Sequence, residues 1–90
     1  MDVVHKEIRC KSSTDPNKLG ASIYSIYQED PDRVIHLRVV GAGALNQAIK
    51  GVIISNTYFS KKGLVSDVRP SFTDADGITA VVLKIIVRGC

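Results

Sequence analysis

The chain is poor in the residue groupings that carry chemistry by themselves. Its two cysteines, Cys10 inside a strand-like pattern and Cys90 at the last position, are too few for a disulfide framework. No His, Cys, Asp or Glu cluster has the spacing of a metal site, so neither a metal nor another cofactor is expected, and free thiols fit a reducing, cytoplasmic setting. No nucleophile stands beside a base, and no carboxylate pair falls in a recognisable motif, so an enzyme is not expected. Residues 1–9 carry charges throughout and lack the apolar stretch of a signal peptide, and no run approaches the length of a membrane span. Aromatic residues are only 6%, and Tyr24, Tyr27, Tyr58, Phe59 and Phe72 are not interleaved with basic residues in the manner of an RNA-stacking platform. Repeats, linkers and low-complexity segments are also missing, which leaves one domain over residues 1–90.

What is there suffices for a modest core. A 90-residue chain that is 44% hydrophobic can bury one sheet under one layer of helices without disulfides or metals. A formal charge of +3 and a pI near 9.0 permit contact with nucleic acid without demanding it.

Residues 3–11 alternate, with Val4, Lys6, Ile8 and Cys10 on one face and His5, Glu7 and Arg9 on the other, a charged strand suited to a sheet edge. Asp15 can cap the helix that Pro16 opens, and Leu19, Ile23, Ile26 and Tyr27 make its apolar stripe to about Gln28. A second strand over residues 33–40 sets Ile35, Leu37 and Val39 against Val34, His36, Arg38 and Val40. The glycine turn at Gly41 and Gly43 leads into a second helix, whose period predicts a buried stripe of Leu45, Ala48, Ile49, Val52 and Ile53 ending near Asn56. After a Ser60–Gly63 turn, a third strand spans 64–72; its Pro70 assigns it to an edge. Thr73 to Gly77 reads as an acidic hairpin loop, and residues 78–87, apolar on both faces except at Lys84, read as a central strand.

These elements predict an α+β fold of two layers, β-α-β-α-β-β. Strand–helix–strand units are parallel and right-handed, and the last hairpin is antiparallel. With the first and third strands at the edges and the fourth inside, a four-stranded mixed sheet in order 1-2-4-3 with both helices on one face satisfies every constraint. The other face then carries a mixture of basic and apolar side chains, which suits either a solvated surface with scattered charges or a polyanion or second subunit.

In such a sheet the loops after the first two strands emerge at the same end. Lys11, Ser12, Ser13 and Lys18 lie on one loop and its helix start; Gly41, Gly43, Asn46, Gln47 and Lys50 lie on the other. Lysines neutralise phosphate charge, while hydroxyls, amides and helix N-terminal N–H groups donate hydrogen bonds without reading bases. A second reading keeps the glycines as tight-turn residues and Asn46 and Gln47 as structural bridges between the loops. A dinucleotide fingerprint is excluded, because its third glycine position is Asn46.

Gly41-Ala-Gly-Ala-Leu-Asn-Gln-Ala-Ile-Lys50 closely resembles the signature of the stage V sporulation protein S family. Lys11-Ser12-Ser13, Pro16-Asn17-Lys18 and Pro70-Ser71-Phe72-Thr73-Asp74 are similar to that family's first loop, helix start and third-strand segment, so the resemblance covers about residues 8–87. It implies an Alba-like fold and a small nucleic-acid-binding regulatory protein, expected as a homodimer, with DNA or RNA as partner. In Alba chromatin proteins the last hairpin reaches along DNA, whereas here its tip would carry Asp74 and Asp76, which disfavours a groove-inserting arm. The alternative is a non-enzymatic module that binds a protein or an anionic ligand through the same loops.

Overall fold

The computed structural model describes residues 4–75 and 77–90; Val3 of the expected first strand and Asp76 of the expected hairpin tip lie outside the described residues. The elements are β1 (His5–Cys10), α1 (Pro16–Glu29), β2 (Val34–Val39), α2 (Ala42–Phe59), a 3₁₀ turn (Ser60–Lys62), β3 (Leu64–Ala75) and β4 (Ile78–Gly89). They form one four-stranded sheet in the order β1-β2-β4-β3, parallel between β1 and β2 and antiparallel elsewhere, as the connection rules required.

Alternation along β2 drives Ile35, Leu37 and Val39 into the core, where they meet Cys10, Leu83 and Ile85 from the flanking strands and Leu19 and Ile23 from α1. α1 starts as its residues dictate: the Asp15 carboxylate accepts from the Asn17 N–H, and Pro16 fills a first-turn position that needs no donor. The Tyr24 and Tyr27 rings lie edge-on to Phe59, each 5.3 Å away between centroids, and tie the end of α1 to the end of α2.

α2 buries Ala48 and Val52 of the expected stripe but not its larger members. The buried residues are Ala44, Ala48, Gly51, Val52, Ser55 and Phe59, whereas Leu45, Ile49 and Ile53 are 38%, 37% and 61% exposed. The cause is close approach to α1. A Cβ on Gly51 would lie 2.4 Å from Leu19 Cδ2, and one on Gly20 would lie 2.7 Å from Ile54 Cγ2, so the crossing admits only small residues. The helix therefore turns its glycine and alanine side inward, and the larger aliphatics one position along rotate out by about 100°.

α2 also continues past Asn56 to Phe59. Asn56 reaches the sheet: its Oδ1 accepts from the Ser66 N–H at 2.7 Å and from the Ser66 hydroxyl at 2.9 Å, while its Nδ2 donates to the Ser66 carbonyl at 3.1 Å. This side chain supplies the edge strand β3 with the partners that a further strand would provide. The hairpin is longer than expected as well. Thr73 pairs with Ala80, Asp74 with Thr79 and Ala75 with Ile78, so residues read as loop belong to the ladder, which runs beyond the Val39–Val81 pair where β2 ends.

Candidate nucleic-acid interface

Two loops meet at the end of the parallel β1–β2 pair. In the first, the Thr14 N–H donates to the Lys11 carbonyl at 3.0 Å, and the Lys11 N–H donates to the Thr14 hydroxyl at 2.8 Å, which closes a rigid turn around Ser12 and Ser13. In the second, Gly41 takes φ 95° and ψ 157°, a geometry that side chains resist, and α2 begins without a side-chain cap. Gly43 explains how closely the loops approach each other. A Cβ there would lie 2.9 Å from Ser12 Cβ, so the missing side chain lets the first loop rest on the start of α2.

The two helix starts are electrostatically unequal. Asp15 places a carboxylate at the N-terminus of α1 and Pro16 removes a donor, so this end is already neutralised. α2 has neither, and its first N–H groups remain free to meet an anion.

The expected residues separate into groups. Lys11 and Ser12 line a basin of about 460 Å³ together with Arg9, Cys10, Arg38, Val40 and Ile78. Gly41, Gly43 and Ser13 are exposed and do not line it, although Gly43 packs against Ser12, which does. Gln47 takes the structural role left open by the sequence: its Nε2 donates to the Thr14 carbonyl at 2.9 Å and so bridges the loops. Asn46 is exposed, and its one side-chain hydrogen bond among the described residues goes to Gln47, with Nδ2 3.5 Å from Oε1. Lys18 points elsewhere, into a groove between β1 and α1 that it shares with Lys6 and Asp15. Lys50 is exposed about 12 Å down α2 from its start, at 1.5 Å per residue.

Arg9 and Arg38 are the residues that spacing alone did not bring to this site. They are register partners on the uncovered face of the sheet, and Glu7 serves both, 3.2 Å from Arg38 Nη1 and 3.7 Å from Arg9 Nε. Two guanidiniums against one carboxylate leave the basin positive. The signal was present in the sequence: aligning Ile8 with Leu37 and Cys10 with Val39 puts Arg9 beside Arg38. The Cys10 thiol is buried, and burial raises its pKa, so it forms part of the wall rather than a nucleophile. Deeper on the same face, His36 stacks on His5 with ring centroids 5.3 Å apart. Desolvation, then the nearby His5 and Lys84 charges, lower the His36 pKa against a smaller opposing pull from Glu7.

The hairpin forms one wall through Ile78. Asp74 pairs with Thr79 and therefore lies on the opposite face of the hairpin from Ile78, turned away from the basin. As a whole the arrangement can hold an anion by charge, by one hydroxyl and by backbone donors. No helix among the described residues is long and apolar enough to cross a membrane. The family model described as Stage V sporulation protein S (SpoVS) matches residues 6–88, nearly the whole chain.

Proposed function

The chain belongs to the Stage V sporulation protein S family, whose members are sporulation-related regulatory proteins, and from that premise we propose that it acts by binding nucleic acid. The observation that carries this reading is the basin where Lys11, Ser12, Arg9 and Arg38 gather beside the uncapped start of α2. These groups neutralise phosphate and donate to its oxygens, contacts that carry no sequence information by themselves, and on that ground the proposed binding is largely independent of sequence. The role is binding rather than catalysis, in the cytoplasm, where Cys10 and Cys90 remain free thiols.

The test is fluorescence anisotropy of labelled duplex DNA, single-stranded DNA and RNA at low and near-physiological salt. Binding should weaken as salt rises, and Lys11→Ala, inside the basin, should weaken it more than Lys50→Ala. If none of the three probes binds at low salt, the loops serve a protein or a small anionic ligand instead.

A second copy of the chain is the proposed partner for α2, because Leu45, Ile49 and Ile53 leave an apolar ridge along its outer side. Light scattering should give the mass of a dimer, and Ile53→Lys should give a monomer that remains folded.

A further inference from the structure

We propose that the uncovered face of the sheet is a second nucleic-acid contact surface, on which Lys84 and Arg69 hold phosphates of a strand that also crosses the loop basin. The proposal rests on the nucleic-acid reading above and extends its footprint from the end of the sheet onto its face.

Register places Glu7, His36, Lys84 and Arg69 in one row across all four strands. Lys84 and Arg69 are direct cross-strand partners and both are exposed. Like charges in that relation repel, and a sheet normally separates them or places a carboxylate between them. Here the carboxylates of this face are committed elsewhere: Glu7 to Arg38 and Arg9, and Asp67 to Arg88 at 2.7 Å. No ion pair among the described residues involves Lys84 or Arg69. An external anion would convert their repulsion into attraction.

The surface is continuous with the basin. Arg9 and Arg38 belong to the adjoining row, two residues along each strand, and they line the basin as well. Strand spacing of about 4.8 Å and a rise of about 3.3 Å per residue put the Arg9 and Arg69 backbones roughly 16 Å apart, about five base-pair rises measured along a duplex axis. Both helices pack on the other side, where Ile8 faces α1 and Ser66 is bonded to α2, so neither covers this row. A second copy would fit poorly, since a two-fold contact through this face would bring like charges together. A polyanion fits the charge.

The experiment measures how the affinity of the full chain for duplex DNA and for single-stranded RNA depends on salt. Removing one cation that holds a phosphate should flatten the plot of log K against log salt by about 0.9 for duplex DNA. The double variant Lys84→Gln/Arg69→Gln should therefore flatten it by nearly 2, so that raising salt from 50 to 200 mM costs it roughly tenfold less affinity than it costs the wild type. Arg69→Lys should keep the wild-type slope. Circular dichroism should show the double variant folded, and Arg69→Gln alone, at an exposed edge position, gives a second reading of the slope. If Lys11→Gln flattens the slope while the sheet variants leave it unchanged, the sheet proposal is overturned and the loop reading stands. If the wild type binds neither probe, both are overturned.

Discussion

Gly51 and Gly43 carry the constraints that hold the site together. Alanine at position 51 would gain about 1 kcal/mol of helix propensity, but its Cβ would lie 2.4 Å from Leu19 Cδ2 and 2.7 Å from Leu19 Cγ. Overpacking of that kind costs about 1–3 kcal/mol, and Leu19 is itself buried, so the steric term wins. Gly51→Ala should lower the melting temperature by about 5–10 °C in a thermal scan, whereas an unchanged or higher value would mean that the helices are not in this contact. His36 gives a pH signature. Its folded pKa lies below the ordinary 6.5, so the unfolded chain takes up the proton first as pH falls. The stability contributed by neutral His36 is thus present above about 6.5 and is lost as pH drops through the folded value. Melting temperatures between pH 7.5 and 5.5 should fall less steeply in His36→Gln than in the wild type; parallel curves would contradict the assignment. At this scale the sequence was only partly legible. The glycines of the 41–50 motif could be read as turn residues and Asn46 and Gln47 as bridges between the loops, but nothing in the spacing said that Gly43 faces Ser12 or that Thr14 is the partner of Gln47, because both are long-range contacts.

At the scale of elements, the strand and helix order and the sheet order follow from period and connection rules, and the structure agrees with both. The face of α2 was misread for a definite reason: hydrophobicity ranks Leu45, Ile49 and Ile53 above Ala44 and Gly51, whereas close helix packing selects for small size. The hairpin was read too short because Asp74, a weak strand former, and the Asp76-Gly77 turn signal drew Thr73 and Ala75 into the loop, although Thr itself favours strands; Gly77 does take φ 80°. Asn56 shows how one helix holds an edge strand. Asn56→Ala removes three hydrogen bonds to Ser66 and leaves a partly buried N–H unpaired, at a cost of about 2–3 kcal/mol. Hydrogen exchange should then quicken at Ser66 and its neighbours in β3 ahead of β2. Equal protection in the variant would mean that the strand edge is held by other means.

For the molecule as a whole, the distribution of charge matters more than its total. A formal +3 is unremarkable, but Arg9, Arg38 and Lys11 collect at one end, while Asp15 and Asp74 face away from that basin. The candidate site was legible in the sequence as a pair of loops and not as a basin, since two of its cations come from strand positions whose relation depends on register. The most direct measurement is a backbone amide NMR titration of the isotope-labelled protein with a short duplex and a short RNA at low salt. Shifts centred on residues 9–14 and 38–47 that collapse when salt is raised are the predicted result. Shifts confined to the outer face of α2 or to the hairpin end around Asp74 and Thr79, or no shifts with either oligonucleotide, would contradict the account.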